Sequence, residues 1–240
     1  LFQSKEYKAA NIETFCLTKC FRQQSDHAFL NILNELRHGS CSNESFEILK
    51  AQTSIDDELS MNGTLTPMKI LSTNAEVDKV NDQELAKACE EASTDPVSFP
   101  VKIDRGSIKK SEAVMKIECI PTEVKLVVGA QIVITHNINA TVVNGSQGKV
   151  VALKSNEVIV DLVEVGQCTI GYVEYKDPDH PCIYTASRIF SYLPIKLGYA
   201  STIHKVQGMT ISSLEIDCKR IFCHGQLYCG VSRVRSLKGL

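Results

Sequence analysis

Near Thr94 the texture of the chain changes, and that change limits the folds open to it more than any other feature. Before it, apolar residues recur at helical spacing. Ala28, Phe29, Ile32, Leu33 and Leu36 form one stripe, Val77, Val80, Leu85 and Ala88 form another, and Met68–Ser72 reads as a buried strand between them. Beyond it, Pro96 and Pro100 interrupt, and β-branched runs follow at Lys125–Thr135, Gly148–Lys154 and Glu157–Val163, with Asn144-Gly145 and Lys154-Ser155-Asn156 as turns. Strand–helix alternation predicts an α/β fold, whereas short strands at close spacing predict a small antiparallel barrel. After Pro194 the α/β texture returns, with Ser213–Cys218 as a strand and Gln226–Arg233 as a helix. The order predicts an insertion: residues 1–94 and 193–240 form the two parts of one α/β domain, and residues 95–192 form the inserted barrel.

Local signals set the boundaries. Ser25 or Asp26 is placed to cap the first striped helix, which should end near Gly39, and Asn74 to cap the second. A further short helix is expected around Ser45–Ala51, and residues 12–20 read as a strand leading into Phe21-Arg22-Gln23.

With 43% hydrophobic residues in 240, the chain can bury one large core or two small ones. Its longest apolar run, Val124–Ile134, contains a Lys, a Gly and a Gln and falls short of the roughly 20 residues a membrane span requires. The opening LFQSKEYKAA lacks an initiator Met and the basic-then-apolar layout of a secretory signal, so the chain is expected to be a fragment. Its ten cysteines are dispersed without a CxxC pair, which points to a reducing compartment and to small buried hydrophobes. Cys218, Cys223, His224 and Cys229 match no common zinc spacing, and no metal site is predicted.

Charge is distributed unevenly. Residues 1–100 carry 9 basic and 16 acidic side chains and residues 196–240 carry 7 and 2, so a phosphate-bearing partner would meet the C-terminal part. That part contains TIHKVQGMT, Thr202–Thr210, with donors on Thr202, His204, Lys205 and Gln207 and a Gly208 that permits close backbone approach. On the residues alone, this is equally a polar connection facing water. Arg233 and Arg235 have a similarly plain reading, as cations complementing a helix C-terminus.

Read together, LTKCFRQ, ILNELRHG, PMKILSTNAEVDKVN, VKLVVGAQIVITHNI, VVNGSQGKVV, LPIKLGYASTIHKVQGMTI and GQLYCGVSRVRSLKGL resemble, in order and almost end to end, the C-terminal half of the PIF family of superfamily 1 DNA helicases. The resemblance implies a RecA-like parallel-sheet motor domain interrupted by a small antiparallel barrel. It also implies ATP and Mg2+ as cofactors, the metal being held mainly by another motor domain. The chain contains no GxxxxGK[ST] phosphate loop, so alone it is expected to be inactive. As part of a parent enzyme it would support ATP-dependent 5′-to-3′ translocation on single-stranded and forked DNA. The partner would be the N-terminal RecA-like domain of the same parent, with no membrane association, a monomeric state, and a nuclear or mitochondrial setting. The alternative is a free-standing nucleic-acid-binding remnant without motor activity.

Carried over residue by residue, Arg22 resembles the motif IV arginine and Arg233 the motif VI arginine finger, both catalytic residues at the γ-phosphate. Phosphoryl transfer gathers charge on equatorial oxygens, which a planar, permanently charged guanidinium can meet. Gln207, Gly208 and Thr210 would face the nucleotide with them. Thr202, His204 and Lys205 would face DNA, as would His136, Asn137 and Lys149 of the barrel. Lys205 is equally a solvated lysine, Arg235 is expected to brace an acidic neighbour, and Tyr228 is expected to pack. The chain departs from the family at Val206, usually Ser, and at Gly230-Val231, usually Ala-Leu. Its VGQCTIGYVEYKDPDHPC segment matches no family block and is given no role.

Overall fold

Strand pairing divides the molecule into a parallel part and an antiparallel part. The computed structural model describes residues 3–10, 12–53, 65–103, 108–118, 120–176, 188–218 and 221–240. The chain opens with α1 (Lys5–Ala9), α2 (His27–Arg37) and α3 (Asn43–Gln52), then β1 (Met68–Leu71) and α4 (Asn74–Ala92). It continues through β2 (Val97–Pro100), β3 (Lys102–Ile103), α5 (Ile108–Ile117), β4 (Glu123–Leu126), β5 (Gln131–Ile134), β6 (Gln147–Leu153) and β7 (Glu157–Leu162). β8 (Gly166–Gly171), β9 (Val173–Lys176), β10 (Arg188–Tyr192), β11 (Ile195–Leu197), β12 (Ala200–Thr202), β13 (Leu214–Ile216) and α6 (Gln226–Val231) complete it, with a 3₁₀ turn at Leu237–Gly239.

The N-terminal helices follow their capping chemistry. Asp26 accepts from the Phe29 amide at 3.0 Å and starts α2, which buries Phe29, Ile32 and Leu33 and stops before Gly39 at φ 75°. Burying a side chain the size of Phe29 contributes about 1.5–3 kcal/mol. For α4 the cap is Thr73, not Asn74: its hydroxyl accepts from the Glu76 amide at 3.3 Å and donates to the Glu76 carboxylate at 3.0 Å, a reciprocal cap. Residues 12–20 form no strand. Among the described residues nothing pairs with their backbone, and Phe15 and Leu17 are 80% and 95% exposed.

The parallel sheet has the order β12–β1–β13, with Lys69 opposite Ala200 on one side and Glu215 on the other. The antiparallel sheet has the order β11–β5–β6–β7–β8, accompanied by a β3–β10–β9 sheet and a two-stranded β2–β4 sheet. The predicted run Lys125–Thr135 is two strands, because the chain turns at Val127–Ala130 with Gly129 at φ 88°. Helix α5 and strands β8 to β10, which no sequence pattern announced, extend the antiparallel part; residues 177–182 of the unassigned segment lie outside the described residues.

Strand β5 is the seam between the two parts. All four of its residues are buried, and its side chains alternate: Ile132 and Ile134 enter the core of the antiparallel sheet, while Val133 joins Met68, Ile70, Val206 and Leu214 in the core of the parallel one. The cysteines do not behave as buried hydrophobes. Cys16, Cys41, Cys218 and Cys223 are exposed and Cys20 is half-buried, whereas the half-buried Cys89 and Cys168 pack against the antiparallel-sheet core and Cys229 against the parallel one; Cys119 and Cys182 lie outside the described residues. No helix among the described residues is long and apolar enough to cross a membrane.

Candidate functional site

Two segments far apart in sequence, the turn around Arg22 and the end of α6, are stitched together by buried polar contacts. Gln23, 3% exposed, donates from Nε2 to the carbonyls of Ser232 at 3.2 Å and Val234 at 2.7 Å, and its Oε1 accepts from Cys20 Sγ at 3.1 Å. This fixes Arg22 next door. Arg22 donates from Nη1 to the Ser232 carbonyl at 3.0 Å and from Nε to Thr210 Oγ1 at 3.2 Å. Arg233 donates from Nη2 to Ser232 Oγ at 2.7 Å, and its Nε is buried without a hydrogen-bond partner. Among the described residues neither guanidinium has a carboxylate partner. Burial, followed by the positive charge of Arg233, lowers the Arg22 pKa from its ordinary value. Two such cations held close without an acid are arranged to receive an anion, since one bound between them would relieve their repulsion.

The loop Ile203–Thr210 is shaped by what it buries. Ile203, Val206 and Ile211 enter the parallel-sheet core, which leaves His204, Lys205, Gln207 and Gly208 exposed. The Lys205 and Val206 amides both donate to the Thr202 carbonyl, and Gly208 sits at φ 83°, where a side chain would be strained. Thr202 itself is buried at the end of β12. Val206 is fully buried, so its methyl groups fill space in the core where the family pattern has a hydroxyl. Gly230 is equally explained by packing: a Cβ there would lie 2.6 Å from Ile216 Cδ1.

The residues singled out from the sequence therefore fall into groups. Arg22, Thr210 and Arg233 meet around Ser232. Lys205 and His136 line one cleft of about 940 Å³ between α4, the parallel sheet and the inserted strands, together with Lys125, Lys196, Asp78 and Asp82. Asn137 secures the turn at the rim of that cleft, its Oδ1 accepting from the Asn144 amide at 2.8 Å. Gln207 and Gly208 are exposed on the loop, and Lys149 stands half-buried on β6, opposite Gln131 and Asp161. Arg235 pairs with Glu164 at 2.6 Å, as an arginine bracing an acidic neighbour should, and Tyr228 packs against the parallel-sheet core.

Gln23 and Ser232 carry the arginine pair and were not foreseen. The only trace of Gln23 in the sequence is its place beside Arg22, and nothing in composition announces that a serine's carbonyl and hydroxyl would serve two arginines. Among the described residues no three His, Cys, Asp or Glu side chains converge as metal ligands.

No family model matches the chain. Its relatives include the ATP-dependent DNA helicase PIF1 of Homo sapiens, 29% identical over 249 residues, which span 100% of this chain and 36% of the relative. The ATP-dependent DNA helicase Pif1 of Bdellovibrio bacteriovorus is 31% identical over 217 residues, spanning 90% of this chain and 47% of the relative. Unliganded Pif1 from Bacteroides sp superposes with a TM-score of 0.73 at 26% identity, over 92% of this chain and 50% of that one. Pif1 from Bacteroides in complex with ADP-AlF3 and ssDNA superposes at 0.60 with 26% identity, over 93% and 50%. The chain thus spans half or less of the length of these proteins, with a shared α/β, RecA-like fold. Along its whole length it is similar to Pif1 helicases, a likeness that fits a C-terminal half of that family.

Proposed function

We propose that this chain is the C-terminal motor half of an ATP-dependent DNA helicase, with residues 1–94 and 193–240 as the second RecA-like domain and residues 95–192 as its inserted barrel. The observation that carries the reading is the pair Arg22 and Arg233, gathered on Ser232 with no carboxylate partner among the described residues. When the other half of the parent closes against this one, these guanidiniums would meet the γ-phosphate oxygens of ATP, with Thr210 orienting Arg22 and with Gln207 and Gly208 on the nucleotide-facing edge of the loop. A cation delivered across a domain interface makes closure and hydrolysis depend on each other. The magnesium ion would be held mainly by the N-terminal motor domain of the parent.

On the opposite side of the same loop, His204 and Lys205, with His136, Asn137 and Lys149 from the insertion and Thr202 at its base, would contact the backbone of single-stranded DNA. Single-strand tracks combine positive and polar groups in this manner, and binding through them weakens as salt rises. The parent is read as a 5′-to-3′ translocase acting on single-stranded and forked DNA inside the cell, monomeric, with its own N-terminal RecA-like domain as the partner of this half. Alone, this half should bind single strands weakly and turn over no ATP. The deciding experiment is Arg233→Ala in the full-length parent, which should abolish most DNA-stimulated ATP turnover while leaving ATP binding intact; undiminished turnover would overturn the assignment.

A further inference from the structure

Thr210, at the end of the exposed loop, and the two residues after it form a strap with a different attachment at each position. Thr210 accepts from Arg22 Nε through its hydroxyl at 3.2 Å. The Ile211 amide donates to the Arg233 carbonyl at 3.0 Å, and the Ile211 side chain is buried. The Ser212 amide donates to Oε1 of Gln147 at 2.9 Å. Gln147, 5% exposed, belongs to β6 of the inserted sheet, so the strap joins both phosphate-facing arginines to the insertion. A second contact reinforces the joint one residue earlier: a Cβ on Gly145, in the turn before β6, would lie 2.9 Å from Met209 Cβ, so that turn rests on the residue that leads into the strap. Fastening two sheets together does not require this arrangement, because Gln131 already does so elsewhere. Its amide contacts the Thr66 amide, hydroxyl and carbonyl and the carbonyl of Gly198, none of which belongs to the strap.

We propose that Gln147 is a positioning residue that transmits the orientation of the inserted sheet, through Ser212, Ile211 and Thr210, to Arg22 and Arg233. The proposal rests on the reading of the chain as a helicase motor half. Three consecutive residues leave no flexible spacer between the attachments, so a displacement of β6 at Ser212 is passed to Thr210 and to the Arg233 backbone. The group moved is the one proposed to meet phosphate, and the turn that leads into the element that moves it contributes Asn144 to the cleft lined by Lys205 and His136. Strand binding beside the insertion would therefore be sensed at the nucleotide, in addition to any signal carried by His204 and Lys205 themselves.

The test uses the full-length parent with Gln147→Met, which keeps the length of the side chain and removes the acceptor. Gln147→Glu keeps an accepting oxygen in either protonation state, and Gln131→Met loosens the sheet junction without touching the strap. Gln147→Met should lower the ratio of DNA-stimulated to basal ATP turnover by about three- to tenfold, the size of a modest coupling change, with basal turnover and single-strand affinity unchanged. Gln147→Glu should restore the ratio, and Gln131→Met should leave it at the wild-type value. A wild-type ratio in Gln147→Met, or an equal fall in Gln131→Met, overturns the proposal. Hydrogen exchange in the wild-type parent gives an arm independent of variant folding and of turnover: single-stranded DNA should change protection of residues 209–212 and 20–24 together. Change in one segment without the other overturns the strap, whereas a parent with no DNA-stimulated turnover overturns the helicase reading instead.

Discussion

Arg22 and Arg233 meet on one serine: Arg22 Nη1 donates to the Ser232 carbonyl at 3.0 Å and Arg233 Nη2 to the Ser232 hydroxyl at 2.7 Å. Arg22 also reaches Thr210 through Nε, so its planar fork spans two acceptors on different segments. A lysine at this position supplies a point charge without the fork. Arg22→Lys in the parent enzyme should therefore lower ATP turnover about tenfold or more, an interaction of roughly 1.4 kcal/mol at the transition state. Steady-state kinetics on folded protein checks it; a variant within twofold of wild type would show that charge alone suffices.

Anions should stabilise the fold through the same pair. Burial and Arg233 lower the Arg22 pKa, so the protonated guanidinium is disfavoured in the folded chain relative to the unfolded one. For a base this penalty is present in full below the folded pKa, and so stays constant through neutral pH. Sulfate should raise the melting temperature more than chloride at equal ionic strength, and the difference should shrink in Arg22→Gln or Arg233→Gln to what surface exclusion of sulfate alone gives. Thermal unfolding at pH 6, 7 and 8 should give the same increment.

Gln131 is fully buried, and every hydrogen-bonding position on its amide is used: Oε1 accepts from the Thr66 amide and hydroxyl, and Nε2 donates to the carbonyls of Thr66 and Gly198. Gln131→Leu strands these partners and should destabilise the chain by about 2–4 kcal/mol, against the 1–3 kcal/mol typical of a single unsatisfied buried group. Gln131→Glu should not rescue it, because a carboxylate cannot donate to the two carbonyls. Urea denaturation measures both.

Gly230 and Ile216 should behave as a coupled pair. A Cβ at Gly230 would lie 2.6 Å from Ile216 Cδ1, so Gly230→Ala alone forces the isoleucine out of place and should cost about 1–3 kcal/mol despite the better helix propensity of alanine. Ile216→Val removes Cδ1 and should cost about 0.5–1.5 kcal/mol alone. The double variant should be more stable than the two losses added, and a double-mutant cycle reads the difference.

Arg235 offers a contrast within the same turn. Its 2.6 Å pair with Glu164 is more than half exposed on both sides, so Arg235→Ala should change stability by less than about 1 kcal/mol and leave turnover of the parent unaffected.

Much of this architecture was legible because it is periodic or capped. The stripe from Phe29 to Leu33, its start at Asp26 and its stop before Gly39 follow from local chemistry, as do β6 and β7 around the Lys154 turn. Where local signals misled, long-range pairing was decisive. Residues 12–20 have strand-like composition but no neighbour among the described residues to complete a ladder, and the run Lys125–Thr135 divides at Gly129 because a left-handed turn sends β5 to a different sheet from β4.

The sequence by itself determined that the chain has an α/β texture interrupted by antiparallel strands, and it identified the polar loop and the two arginines by their likeness to a helicase pattern. Tertiary structure alone decided what those residues do to one another. Thr210 proved to be the partner of Arg22, 188 positions away, and Ser232 the shared anchor of both cations, while Val206 became core and Gln147 reached the strap from another sheet. The reason is physical: periodicity records which face of an element is apolar, but a hydrogen bond between segments depends on distances that exist only once both cores have closed.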